Sequence, residues 1–365
     1  MDQPTERPIA RAPAPPRAVR RAADRRDEQR ADIPPHVIRS LLHVVRERGL
    51  APARLCRGLG FTLQELMAGD FRVSYGQTRR VVQRARRALD DPALGLATGA
   101  RQTPVSWGLA GLGMLTCPNL GAAIEYGVRY QREAGSLTVV SAAVEARHFT
   151  IEGATRFPEP ELEPFFIEEM LAGAVALGRW LVGADFRPLR VELRYPRPPR
   201  AAALRRYFGC PVEFDAPAHR LVAAASWCLR PLPMYDAYVC ASIQQQIDQV
   251  LRAAVPQPDF VATVCHRIRM AMPVPPPLAR VAAELNHSER TLRRRLRELD
   301  VSYQSLVDRI RYESALELLR HTRMPLQGVA EATGFSDVRN FRRAFRRWSG
   351  VLPTALRAAP RAATC

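Results

Sequence analysis

Arg290 is followed three, four and seven positions on by Arg293, Arg294 and Arg297 between Ser288 and Leu299, and Arg339 is followed one, four and eight positions on by Asn340, Arg343 and Arg347 between Ser336 and Ser349. On a helix this spacing puts the side chains on one face. The chemistry such a face offers is the reading of a duplex. An Arg fork matches guanine O6 and N7, an Asn amide matches adenine N6 and N7, and surplus Arg neutralises phosphates. Arg290, Arg293, Arg294, Arg339, Asn340 and Arg343 are the candidate base readers. Ser288, Arg297, Ser336, Arg342 and Arg347 are the candidate phosphate contacts or helix starts.

The elements that must position these residues occur twice. Leu278, Val281, Ala282 and Ser288 recur 48 positions later as Leu326, Val329, Ala330 and Ser336. One inserted residue then moves the offset to 49, pairing Leu292 with Phe341, Arg294 with Arg343 and Leu296 with Phe345. Each copy reads as a short helix, a tight turn and a second helix. Asn286 and Gly334 stand where the turn needs a left-handed residue, Ala282 and Ala330 allow close crossing, and Ser288 and Ser336 are read as N-caps. Leu292, Leu296 and Leu299, and then Phe341, Phe345 and Trp348, form the expected buried stripes.

The net charge of +18 points to a polyanionic partner. Residues 256–365 hold 19 Arg against 10 acids. The chain has no Lys, so gene base composition accounts for the number of Arg, and the argument rests on where they stand. The 7 Cys (56, 117, 210, 228, 240, 265 and 365) form no C-x-x-C pair and no metal spacing with His, and are read as buried thiols of a reduced cytoplasmic protein. No apolar run is long enough to span a bilayer and no signal-like segment opens the chain, so no membrane partner is expected.

Residues 1–31, rich in Arg, Pro and Ala, read as a disordered tail. Residues 34–253 read as a mixed α/β unit with a small sheet, giving an α+β fold class for the chain. Helices are expected early, with Ser74 capping one that runs to about Leu89. A strand pair follows over Leu137–Gly153 and a helix over Glu161–Val182, whose acids Glu161, Glu163, Glu168 and Glu169 favour its N-terminal dipole. A further strand is expected at Arg190–Tyr195, and Val212–Phe214 with Arg220–Ala223 as a final pair. Residues 254–259 read as a linker and 260–358 as an all-α unit, with a connecting helix from Tyr303 to His321 between the two repeats. There is no phosphate-binding glycine loop with lysine, no G-x-S-x-G and no H-E-x-x-H; Gly111-Leu-Gly113 lacks the third glycine of a dinucleotide loop. No cofactor and no catalysis are expected. His148 and His219 are read as satisfied polar residues, and Trp107, Tyr126, Tyr130, Phe165, Phe166 and Trp180 as core rather than a ligand pocket.

Residues 260–358 resemble the DNA-binding domain of the AraC/XylS family of bacterial transcription regulators. The marks are Arg290-Thr-Leu-Arg-Arg294, Arg311, Ala315-Leu-Glu-Leu-Leu319, Gly334-Phe335-Ser336, Arg343-Ala-Phe345 and Gly350-Val-Leu-Pro353, with Asp300 standing where a glycine is common. Trp107-Gly-Leu-Ala-Gly-Leu-Gly113, Phe208-Gly-Cys-Pro-Val-Glu-Phe214 and Leu229-Arg-Pro-Leu-Pro233 are similar to the effector domain of the ornithine-utilisation-regulator type, which is not the sugar-binding cupin of the arabinose regulator. The resemblance implies promoter DNA read in two successive major grooves, an unidentified small-molecule effector, RNA polymerase as partner, a homodimer and a nucleoid location. An enzyme with an appended DNA tether and a ligand-independent DNA-binding protein are the alternatives.

Overall fold

The computed structural model describes residues 27–68, 71–253 and 257–358. The expected disordered tail therefore lies mostly outside the described residues. Its last residues depart from that expectation. Ala31 N donates to Gln257 O at 2.9 Å and Asp259 N donates to Gln29 O at 2.6 Å, while Glu28 pairs with Arg79 at 3.0 Å. The segment is short of apolar side chains, but it meets its backbone hydrogen-bonding needs against the residues ahead of the C-terminal helices.

The N-terminal part opens with α1 (His36–Glu47), α2 (Ala53–Cys56), α3 (Leu63–Met67) and α4 (Tyr75–Leu89). α1 buries Val37, Ile38, Leu41, Leu42, Val44 and Val45 on one side. Ser74 starts α4 as expected: its hydroxyl accepts from Gln77 N at 3.0 Å, and the Gln77 side chain accepts from Ser74 N at 2.8 Å. Next come α5 (Leu94–Ala100), a single-turn helix at Pro104–Trp107, α6 (Gly108–Leu115) and α7 (Leu120–Arg129).

The hairpin β1 (Thr138–Val144) and β2 (His148–Thr155) leads to the long α8 (Glu163–Val182), then β3 (Arg190–Glu192), α9 (Ala201–Phe208), β4 (Val212–Glu213), β5 (His219–Ala224) and α10 (Ala237–Ala253). The five-stranded sheet has the order β1-β2-β5-β3-β4. The expected pairing of the last two strands does not form. α9 carries the chain from β3 to a parallel β4, with Val191 opposite Val212, and β5 returns antiparallel between β2 and β3, with Leu221 opposite both Ile151 and Val191. Leu221, Val222 and Ala223 are all buried, as a central strand requires, whereas β1 forms an edge exposed at Val139 and Val144.

α8 is the spine. Phe165 and Phe166 pack into the core built on α1–α4, and Ile167, Leu171, Val175 and Leu181 into the core around the sheet. A Cβ at Gly99 would stand 2.1 Å from the Glu169 carbonyl oxygen, so α5 lies backbone to backbone on α8. Glu168 and Glu169 therefore point inward, at 1% and 3% exposure. Their place in the sequence suits the helix dipole, but side-chain partners settle their role. Arg200 and Tyr195 hold Glu168, with Arg200 Nε at 2.9 Å and Tyr195 Oη at 2.7 Å, and burial pushes its carboxyl up against the pull of Arg200.

The C-terminal part is helical throughout: α11 (Asp259–Met270), α12 (Leu278–Glu284), α13 (Glu289–Arg297), α14 (Tyr303–His321), α15 (Leu326–Ala332), α16 (Val338–Ser349) and α17 (Pro353–Ala358). It has two small cores. Val264, Ile268, Val281, Leu292 and Leu296 close the first against Leu306 and Ile310 of α14. Val329, Ala330, Phe341 and Phe345 close the second against Ala315 and Leu319 of the same helix. α14 thus serves one unit with each half. Leu299, expected in the first stripe, is 37% exposed, because α13 ends at Arg297 and the chain has already turned away.

Candidate nucleic-acid interface and ligand cavity

Asn286 takes φ +57° in the first turn and Gly334 φ +80° in the second, the left-handed geometry that a tight helix-helix corner requires. Ser288 caps α13, accepting from Thr291 N at 3.2 Å. Leu292 and Leu296 are fully buried, so Arg290, Arg293, Arg294 and Arg297 are exposed on the other face. Arg293 lies 3.4 Å from Glu289 and Arg294 lies 3.6 Å from Glu298. Such exposed pairs contribute little, and a phosphate or a guanine edge competes with them readily. Arg295 turns inward instead, with its guanidinium 3.9 Å from the centre of the Phe260 ring and Nη1 2.9 Å from the His287 ring. It fastens the recognition helix to α11.

The second unit differs at its start. Ser336 is exposed and is not the cap. Asp337 is, accepting from Asn340 N at 2.7 Å and from Asn340 Nδ2 at 2.6 Å. The inserted residue of the second copy falls ahead of the cap, so the residue matching Ser288 is the one 49 positions on. Asn340 keeps its amide oxygen and one N–H for a base edge. Arg339, Asn340, Arg342, Arg343 and Arg347 are exposed, and Arg347 is held to Asp308 of α14 at 2.9 Å.

The turn of the second unit is held by α14 and by the loop between α11 and α12. Arg311 Nη2 donates to Gly334 O at 3.2 Å and its guanidinium lies over the Phe335 ring at 5.0 Å. The Pro273 carbonyl packs against Gly334 itself. α14 has 19 residues, about 28 Å at the helical rise, close to the roughly 34 Å between successive major grooves on one duplex face.

A second feature lies in the N-terminal domain. Between α8, α7 and the β1–β2 hairpin is a cavity of about 90 Å³, lined by Trp107, Met114, Ile124, Phe149, Leu177 and Phe186 among others. Of the six aromatic residues assigned to core, Trp107 lines this cavity, while Trp180 is 63% exposed. Trp107 Nε1 donates to Gln102 Oε1 at 2.8 Å, and Gln102 Nε2 donates to Glu169 Oε1. Burial lifts the Glu169 carboxyl to about 8, with the Gln102 bond pulling the other way. The sequence signal for this site was weak: Glu169 sits among acids that fit a helix start. His219, by contrast, is satisfied as expected, accepting from Arg194 N at 3.2 Å with Nε2 3.2 Å from Glu163.

Comparison with known proteins identifies the two domains that carry these features. Residues 49–232 match the family model described as the arabinose-binding domain of AraC transcription regulator, N-terminal, and residues 281–359 match a helix-turn-helix domain. The Ornithine utilization regulator of Pseudomonas aeruginosa is 30% identical over 329 residues, covering 90% of this chain and 97% of that protein. An uncharacterized HTH-type transcriptional regulator of Mycobacterium tuberculosis is 26% identical over 330 residues, covering 88% and 95%. The crystal structure of the transcriptional regulator CdpR from Pseudomonas aeruginosa aligns at 21% identity and a TM-score of 0.43, over 83% of this chain and 97% of that one. Both of these full-length relatives, from Pseudomonas aeruginosa and Mycobacterium tuberculosis, are regulators by name. With a helix-turn-helix DNA-binding domain behind an N-terminal effector domain, the chain belongs to the AraC family of transcription regulators.

Proposed function

We propose that this regulator reads its promoter with Arg290, Arg293 and Arg294 in one major groove and Arg339, Asn340 and Arg343 in the next. Ser288, Arg297, Ser336, Arg342 and Arg347 contact the flanking phosphates. The observation that carries the reading is the pair of exposed basic faces held on one helix, α14, whose length suits one turn of duplex. Residues 34–253 form the effector domain, 254–259 the linker and 260–358 the DNA-binding domain. The protein has no catalytic step of its own. It works in the cytoplasm on the nucleoid, as a homodimer that recruits RNA polymerase as an activator, and a bound effector shifts the population of the DNA-competent form.

Selection of bound sites from random duplexes tests the assignment. Arg294→Ala and Arg343→Ala each cost about 1–3 kcal/mol and relax the sequence preference in one half-site only, whereas Arg297→Ala weakens all duplexes alike and lowers the salt slope by about one. Unchanged preferences in both base-reader variants would overturn it.

A further inference from the structure

The cavity beneath α8 holds one polar group with capacity to spare. Gln131 satisfies itself on Val128 O, Val140 O and Val140 N at 2.7–2.9 Å, and Ser136 donates to Thr138 O at 2.9 Å. The Trp107–Gln102–Glu169 chain runs in one direction, each N–H donating onward, and ends on the carboxyl. Among the described residues that line it, Glu169 alone has an ionisable side chain, and none is Arg or His. A ligand carboxylate would have no cation to meet, and a buried anion here has none either.

We propose that this cavity binds a small apolar molecule bearing a single amine, with the Glu169 carboxylate holding the ammonium and the Trp107–Gln102 chain holding the carboxylate. The proposal rests on reading the N-terminal domain as the sensor, and it gives that sensor a ligand class. The volume of about 90 Å³ is smaller than the roughly 150 Å³ cavity that takes benzene, so the space suits a chain of about four to six heavy atoms. Burial keeps the empty site a neutral acid at neutral pH. When the ammonium enters, Glu169 releases its proton to solvent and the two charges neutralise each other, which leaves the site with no net buried charge. Amino acids, which carry a carboxylate beside the amine, are rejected.

Four probes with one carbon chain separate the head groups: n-butylamine, 1-butanol, butyrate and 4-aminobutyrate, titrated into the full chain by calorimetry and followed by thermal midpoint. n-Butylamine is expected to saturate and raise the midpoint, 1-butanol to bind at least tenfold more weakly, and the two carboxylates not at all. Glu169→Gln keeps an acceptor for Gln102 and is expected to weaken n-butylamine by about thirtyfold or more without lowering the unliganded midpoint. Ala174→Leu, which fills the space from α8, abolishes binding of both amine and alcohol. Equal binding of amine and alcohol, amine binding unmoved by Glu169→Gln, or no saturable amine binding would each overturn the proposal. A gel shift with a selected duplex, run on the same preparation, keeps the two readings apart. Failure of the amine with duplex binding intact removes this site alone, and failure of duplex binding strikes the DNA reading alone.

Discussion

The Pro273 carbonyl oxygen lies 2.1 Å from the point where a Cβ at Gly334 would stand, so the segment ahead of the first helix-turn-helix closes on the turn of the second. With Arg311 donating to the Gly334 carbonyl, the turn is held by two elements. The relative placement of the two recognition helices follows from this clamp as much as from α14. Gly334→Ala meets two obstacles, a φ of +80° and a backbone overlap that no rotamer relieves. The left-handed conformation alone costs about 1–2 kcal/mol. The expected result is a lower thermal midpoint and a footprint that loses the second half-site before the first. A variant with native stability and a complete footprint would show that Pro273 and Gly334 do not set the geometry.

Asp300 gives the opposite case. It holds φ +56° at the corner between α13 and α14, where the family commonly has a glycine. The departure noticed in the sequence is thus a residue carrying backbone strain. Asp300→Gly relieves it, and the gain is about 0.5–1 kcal/mol after the entropy of the freer unfolded chain is set against it. Urea denaturation measures this as a higher midpoint with an unchanged slope. A destabilised variant would mean that the Asp300 side chain stabilises the corner in a way the backbone does not reveal.

The shifted cap gives a paired test. Asp337→Ala removes the acceptor for Asn340 N and Asn340 Nδ2, so α16 frays at its first turn and the thermal midpoint falls. Duplex binding falls with it, because Asn340 loses the anchor that orients its amide. Ser336→Ala leaves the midpoint unchanged. If Ser336→Ala were the damaging change, the helix would begin one residue earlier than the structure has it.

The helix-turn-helix pair was legible because each requirement falls on a residue type that the sequence displays openly. Left-handed turns took Asn286 and Gly334, close crossings took Ala282 and Ala330, and the stripes took Leu292, Leu296, Phe341 and Phe345. The sequence points to Ser336 as the cap because it stands at the repeat offset of 48 from Ser288, and the true cap is Asp337. The β4–β5 pairing failed for a different reason: strand order depends on which backbones meet, and a two-residue strand such as Val212–Glu213 carries no record of its partner. Glu169 was hidden because a carboxyl near a helix start has an ordinary explanation. Only the approach of α5, visible at Gly99, shows that its side chain has been folded inward.

The contact between the two domains turns on Glu65. One of its oxygens accepts from Thr62 N at 2.6 Å and closes the capping box of α3. The other meets Arg267 of α11 and lies 3.3 Å from His266 Nε2. Phe71 packs edge-on against the His266 ring, with centroids 4.9 Å apart, and Ser74 donates to Asp259 at 2.9 Å. Burial would raise the Glu65 carboxyl, but His266, Thr62 and Arg267 outweigh it and hold the group at about 2. A carboxyl held below its usual range stabilises the fold above its unfolded value near 4.5, and that contribution is lost as the pH falls toward about 2. Glu65→Gln retains the acceptor for Thr62 but takes the charge from Arg267. The expected cost is about 2 kcal/mol, below the range for a fully buried pair because both partners keep some solvent. The loss should appear as earlier melting at pH 7 and a flatter stability profile between pH 4.5 and 2, with protease cutting faster between α10 and α11. Arg267→Gln should reproduce all three effects, and the double variant should cost little more than either single change, because both remove the same interaction. Additive losses in the double variant would mean that Glu65 and Arg267 stabilise the molecule separately and that the domain contact is held elsewhere.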